Sequence, residues 1–266
     1  MSLKITTWNI NSVRLRIGHV ARLAEHVNPD VLCLQEIKVQ ELDFPYKAVR
    51  KLGFEHVAVV GQKGYHGVAI LSRRPFEETE RLNWCGKEDA RHVRVRLEGG
   101  IDLHNFYVPA GGDVPDPDAN EKFAHKLDFL DEMTGHFSTA RRKGAAASIL
   151  VGDLNVAPLE HDVWSHRQML KVVSHTPVEV ERFSRLQKSL GWVDVMRNFV
   201  PPEDKLYTWW SYRAKDWEAS NRGRRLDHVW ATPDLAPKFK TLDILREARG
   251  WEKASDHVPV TVTLDT

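Results

Sequence analysis

Eight carboxylate, amide and imidazole side chains fall where apolar runs of this chain stop. Asn9 and Asn11 follow KITTW, Glu36 follows VLCLQ, Asp153 and Asn155 follow or overlap SILVG, Asp227 stands in RRLDH, and Asp256 with His257 lie near the carboxyl end. Polar groups at the ends of apolar strands are held rigidly beside one another yet still reach solvent, which is what a metal and phosphate site needs. Magnesium takes oxygen ligands and keeps several waters, so one or two carboxylates plus an amide suffice to hold it. Glu36 is the leading candidate ligand, with Asn11 and Asp256 assisting. Phosphodiester hydrolysis also needs a group that positions and deprotonates water, and donors around the charged transition state. Asp153, Asn155, Tyr107 and His257 are side chains of those types. Neighbours on a strand point to opposite faces, so Asp256 is badly placed to orient His257, and Asp227 is the better choice. Singly, each residue has a plainer reading. An Asp after an apolar strand usually serves a turn or a helix cap, and most of the chain's 13 histidines must be ordinary. Their joint occurrence in one order is what points to chemistry.

The elements that must position these groups can be read from periodicity. Strands are expected at Lys4 to Trp8, Val31 to Gln35, His56 to Val60, Val68 to Ser72, Val93 to Leu97, Leu103 to Val108, Ser148 to Val151, Leu226 to Ala231 and Val258 to Leu264. Helical spacing covers Val13 to Val27, ended by Asn28, Pro29 and Asp30, then Asn120 to Phe137, and a segment around Val180 to Leu190. Many strands outside a regular βαβ alternation favour an α/β (α+β) fold with two packed sheets flanked by helices over one doubly wound sheet. The segments GGDVPDPD and PPED punctuate a compact domain and are too short for tethers, so residues 1–266 are expected to form one domain.

Composition narrows the function classes. With 38 Lys and Arg against 37 Asp and Glu, the formal charge is +1, so any nucleic-acid surface must be local. Cys33 and Cys85 lie in unlike contexts without zinc-type spacing, and Cys33 inside VLCLQ reads as a core residue. The opening MSLKITTWNINS enters a strand pattern directly, and no apolar run approaches a membrane span. A soluble cytoplasmic protein is the expectation.

Read in order, WNINSVR, LQEIK, GQKGYHGVAI, NFYVPAGG, VGDLNVAP, RGRRLDH and SDHVPV resemble the exonuclease III family of apurinic/apyrimidinic endonucleases, within the endonuclease/exonuclease/phosphatase superfamily. The match spans residues 4–264. GDLN and SDH are shared across the superfamily; LQEIK, GQKG-x-x-G and Y-x-P-x-G point to its DNA-repair branch. The resemblance implies a four-layer α/β sandwich of two mixed sheets flanked by helices. It also implies a monomer that uses Mg2+, with Mn2+ a possible substitute, on double-stranded DNA. Such enzymes cut 5′ to an abasic site, trim 3′ blocking groups and degrade 3′ ends. By matched motifs, Glu36 and Asn11 look like metal ligands with Asp256 serving the same site, and Asn9 a partner of Asp153. Asp153 looks like the water-activating residue, Asn155 and Tyr107 phosphate binders, and Asp227 the residue that orients His257. Phosphodiesterases or phosphatases of the superfamily that act on RNA or phospholipid headgroups are the rival reading, and a silent DNA-binding scaffold is the reading from another class.

DNA contacts are expected from Lys63 in the loop Gly61 to Gly67, and from Trp209, Arg213, Arg222, Arg224 and Leu226 in or beside the Trp- and Arg-rich stretch. By its motif position Trp209 would pack on an extrahelical deoxyribose. Three positions depart from relatives. Ser12 replaces a glycine, which is expected to matter little; Ala110 stands where an amide is frequent; and Arg224 stands where an apolar pocket wall is common.

Overall fold

The computed structural model describes residues 2–266. In chain order the elements are β1 (Ser2–Asn9), α1 (Ile17–Val27), β2 (Val31–Gln35), α2 (Tyr46–Lys51), β3 (His56–Val60), β4 (Val68–Ser72), β5 (Phe76–Glu80), β6 (His92–Leu97) and β7 (Ile101–Tyr107). There follow α3 (Glu121–Arg142), β8 (Ser148–Asp153), α4 (His166–Met169), α5 (Pro177–Leu190), β9 (Val193–Asp194), α6 (Val195–Phe199) and β10 (Trp209–Trp210). The chain ends with α7 (Trp217–Ser220), β11 (Gly223–Arg224), β12 (Asp227–Ala231), β13 (Phe239–Ile244) and β14 (Val260–Asp265). Two six-stranded sheets result, ordered β13-β14-β1-β2-β4-β3 and β5-β6-β7-β8-β12-β9, with β10 and β11 forming a separate two-stranded ribbon.

Each large sheet contains one parallel pair, β1 with β2 and β7 with β8, and its other pairings are antiparallel. A parallel pair requires a long crossover, supplied by α1 in the first sheet and α3 in the second. The two sheets therefore repeat one plan, and the carboxyl ends of a parallel pair define the working rim of each.

Side-chain alternation builds the layers. Ile5, Val31, Cys33, Ile70, Ile149 and Val151 face the core between the sheets. Trp8, Leu32, Leu34 and Leu71 face outward under α1 and α2, while Phe106, Leu150 and Trp230 face outward under α3 and α5. Strands covered on both faces read as continuous apolar runs, which is why VLCLQ and SILV stand out. Helix ends follow local chemistry. Asn120 caps α3 by accepting from the Lys122 amide, and α5 begins on a Thr176–Glu179 capping box with Pro177 in its first turn.

Two expectations are corrected. The first helix begins at Ile17, four residues after Val13, because Asn11 and Ser12 adopt left-handed backbone and 13–16 form turns. The edge strands β5 and β13 escape the periodic reading because FEETE and FKTLDI are largely exposed and polar. Among the described residues no helix is long and apolar enough to cross a membrane.

A buried ion network fixes the approach to β12. Arg225 is fully buried and donates to both oxygens of Asp162 at 2.7 and 2.9 Å and to Asp194 at 2.6 Å. Arg197 reaches the same Asp162 at 2.6 Å. Burial opposes the charge on Asp162, and the two arginines overcome it and hold its carboxyl below the usual range. Its contribution to stability is thus complete at neutral pH and is lost as pH falls through that depressed value. Arg225→Leu leaves Asp162 underpaired, and a loss of about 3–5 kcal/mol is expected in urea unfolding at pH 7.

Candidate active site

Residues from both sheets converge on one rim. Asn9 and Glu36 sit at or just past the ends of β1 and β2, and Tyr107 and Asp153 end β7 and β8. The antiparallel neighbours β12 and β14 run the other way, so Asp227 opens β12 opposite Asp153, and His257 lies just before β14. Beneath the rim the sheets are pinned by buried amides. Gln35 donates to Asn105 at 2.7 Å and to Thr7 at 2.9 Å, while Asn105 donates to the carbonyls of Leu34 and Ala69 at 3.0 Å each. Gly152 is required where β8 passes β7, since a Cβ there would lie 2.0 Å from the Phe106 carbonyl oxygen.

The amide of Asn9 bridges the sheets, donating to Glu36 and to Asp153 Oδ2 at 2.9 Å each. Asp227 Oδ2 accepts from Thr208 Oγ1 at 2.6 Å and from His257 Nδ1 at 2.8 Å. The other imidazole nitrogen, Nε2, lies 3.5 Å from Asp153 Oδ2. Burial opposes a charge on His257, but the carboxylates of Asp227 and Asp153 overcome it and push its pKa up to about 10. Burial likewise pushes Asp153 up to about 7, against the pull of His257. An imidazolium held between two buried carboxylates, one of them near neutrality in pKa, is an arrangement suited to moving a proton.

A second cluster lies on the other side of Asn9. Glu36 Oε2 and Asn11 Oδ1 both face the ammonium of Lys38, at 2.9 and 2.5 Å. The Asn11 amide donates to Asp256 Oδ1 at 3.1 Å, and Trp209 Nε1 donates to Asp256 Oδ2 at 2.9 Å. Burial opposes the charge on Glu36 and Asp256, yet Lys38 in the one case and His257 in the other leave both carboxyls below their usual values. A carboxylate oxygen and an amide oxygen that already converge on one cation are donors suited to a hard metal ion. Asp153, Asp227 and His257 also offer ligand atoms within 4.8 Å of one another, a spacing that could hold a metal. The hydrogen bond between His257 and Asp227 and the charge on His257 make them the weaker donors, because imidazole binds metal in its neutral form.

Asn155 supports Asp153: its backbone amide donates to Asp153 Oδ1 at 3.0 Å, and its side-chain amide donates to the Val108 carbonyl at 2.8 Å. Tyr107 is 8% exposed, with the Arg91 guanidinium 5.0 Å from its ring centre. Burial, with Glu36 and Asp153 nearby, raises its phenol well above the ordinary value, so it stays a hydrogen-bond donor at neutral pH.

Left-handed backbone concentrates here. Asn11, Ser12, Glu36, Lys38, His66 and Asn155 all have φ between 46° and 88° without being glycine. Such strain persists where surrounding structure over-determines it, and it clusters at functional sites. Ser12, at φ 88°, stands in backbone that favours glycine. Ser12→Gly removes a left-handed Cβ penalty of roughly 1–2 kcal/mol, partly offset by glycine's freedom when unfolded, so stability should rise by up to about 1 kcal/mol in thermal unfolding.

Of the residues expected to touch DNA, Lys63, Arg213 and Arg222 are exposed. Trp209 is half-buried, and Leu226 is buried in one cluster with Ala157, Val163 and Met169, against which Trp209 packs. Arg224 is held by the Val173 carbonyl at 3.2 Å and by Ser174 Oγ at 3.1 Å, with its guanidinium 4.9 Å from the Trp209 ring centre.

Four site residues escaped the sequence reading. Lys38 stands inside LQEIK, two residues after Glu36, and that proximity was a usable signal. Thr208 supports Asp227, and Ser255 donates to the Asn9 carbonyl at 2.6 Å. Lys126 is fully buried, pairs with Glu179, and donates to the carbonyl of Asn155 at 2.7 Å.

The endonuclease/exonuclease/phosphatase family matches residues 6–257 of the chain. An exodeoxyribonuclease III from Haemophilus influenzae is 32% identical over 270 residues, covering 97% of this chain and 98% of the relative. An AP endonuclease structure from Archaeoglobus fulgidus superposes with a TM-score of 0.90 at 33% identity, over 99% of this chain and all of that one. A 3′ phosphatase from Neisseria, bound to product DNA hairpin, gives a TM-score of 0.90 at 30% identity with the same coverage.

Proposed function

The chain belongs to the endonuclease/exonuclease/phosphatase family, and within it we propose a metal-dependent DNA-repair nuclease that hydrolyses duplex DNA 5′ to abasic sites and at 3′ ends. The observation that carries this reading is the line from Asp227, hydrogen-bonded to His257, to Asp153 at 3.5 Å from the far imidazole nitrogen, joined by the hydrogen bonds of Asn9 to Glu36 on the opposite sheet. In it Asp153 takes the proton of the attacking water, and Asn9 and Asn155 hold its carboxylate in place. Asp227 fixes the orientation of His257, whose Nε2–H would donate to a phosphate seated beside Asp153, and Tyr107 and Asn155 would supply neutral donors to the phosphate oxygens. Glu36 and Asn11, with Asp256 beside them, would hold Mg2+ or Mn2+, which when bound supplies charge neutralisation at the phosphate. Lys63, Arg213, Arg222 and Trp209 would meet a duplex that crosses the rim, with Leu226 in the cluster against which Trp209 packs and Arg224 lining the cavity beside it.

We further read residues 1–266 as one catalytic domain that acts as a monomer. Two free cysteines suit a reducing cytoplasm. The test is cleavage of an end-labelled duplex with one tetrahydrofuran residue, beside an undamaged duplex with a recessed 3′ end, each with Mg2+ and with EDTA. Mg2+-dependent scission of either duplex supports the reading. Inactivity on both, with turnover of an RNA or phospholipid substrate, overturns it.

A further inference from the structure

A cavity of about 620 Å³ opens beside Trp209, within the size range of small-molecule sites. Its lining includes Trp164 and Trp209, the arginines Arg213, Arg222 and Arg224, and one carboxylate, Asp113. Two of the arginines are stacked. Arg222 lies 4.6 Å from the Trp164 ring centre, and Arg224 lies 4.9 Å from that of Trp209. The cavity is wired to the proposed centre, because the Trp209 indole donates to Asp256 and its backbone bridges to His257. Burial draws the Arg224 pKa down to about 10, which leaves it charged at neutral pH, and among the described residues no carboxylate bonds to it.

A bare deoxyribose offers such a lining little. It has no flat face to lie on an indole or guanidinium plane, and filling the cavity with it strips water from arginines without replacing the lost hydrogen bonds. A nucleobase offers both a π face and acceptor edges, and bases stack on aromatic rings and on arginine planes. We propose that this cavity is a nucleobase pocket, in which an unpaired or 3′-terminal nucleotide that still carries its base is preferred to an abasic residue. The inference rests on the proposed nuclease reading and names the substrate that this site favours. Arg224 is its specificity-determining residue, because it is half-buried while the other two arginines of the lining are exposed.

Two measurements test it. Binding of dAMP and of deoxyribose 5-phosphate to the protein, read by tryptophan fluorescence and by calorimetry, is expected to differ by about tenfold or more in favour of dAMP, the share one base stack contributes. Arg224→Leu should bring that ratio close to one. It should also shift the ratio of tetrahydrofuran incision to nucleotide release from a recessed 3′ end about tenfold toward incision. Arg224→Lys, which keeps the charge and loses the plane, should behave like the leucine variant and controls for folding. Equal affinities for the two ligands, or an activity ratio unmoved in both variants, overturns the pocket assignment. If neither DNA is cut at all, the nuclease reading fails, and the nucleotide-binding measurement still decides the pocket.

Discussion

Asp153→Asn is expected to bind duplex DNA as the parent does while turning over roughly 100- to 10,000-fold more slowly, the range associated with a lost general base. The change keeps shape and volume, and the new amide oxygen can still accept from Asn9, so the β8 register with β12 need not move. What disappears is a basic oxygen facing His257 and the attacking water. Asp227→Asn should act on the same step through His257, which loses one of the two carboxylates that hold it charged. Because the two residues act as a unit, the double variant should be little slower than Asp153→Asn alone. Single-turnover rates and DNA dissociation constants for the four proteins decide the matter. A double variant whose losses multiply would separate the two roles, and unchanged turnover in Asp153→Asn would remove it from the chemistry.

The chemistry-bearing residues were legible because they close apolar strands. Glu36 after VLCLQ and Asp153 after SILVG could be placed at a rim before any coordinates, since a run buried on both faces must end where the chain meets solvent. The parallel pairs that bring those ends together were not legible, because pairing is settled by contacts far apart in sequence. The same reason hid the supporting network. Lys126 meets Glu179 across 53 residues and Gln35 meets Asn105 across 70, and nothing in the local pattern of either residue reveals a buried polar partner. Arg225 is the sharpest case. In RGRR nothing local sets it apart from Arg222 and Arg224, whereas it is fully buried with three hydrogen bonds to Asp162 and Asp194. Its neighbour Arg224 does face a cavity, so adjacent identical residues serve opposite purposes according to which face of β11 and the chain beyond it they occupy.

Glu36→Gln is expected to weaken metal binding by about 100-fold or more, since even the outer partners of metal ligands cost 10–100-fold when removed. The substitution keeps the acceptor oxygen that Asn9 contacts but deletes the negative charge from the pair of oxygens that now face Lys38. Hard cations are held mainly by that charge, so an isosteric amide is a poor replacement. The readout is Mn2+ binding to the protein alone, followed by electron paramagnetic resonance, with Mg2+ added as competitor. Asp227→Asn serves as the contrast. If the ion sits at Glu36 and Asn11, removing charge from Asp227 leaves Mn2+ affinity nearly unaltered, because Asp227 Oδ2 is occupied by Thr208 and His257. The opposite pattern, with affinity intact in Glu36→Gln and lost in Asp227→Asn, would move the ion to the group formed by Asp153, Asp227 and His257. That outcome would also require His257 to bind as neutral imidazole, against the two carboxylates that now favour its charge.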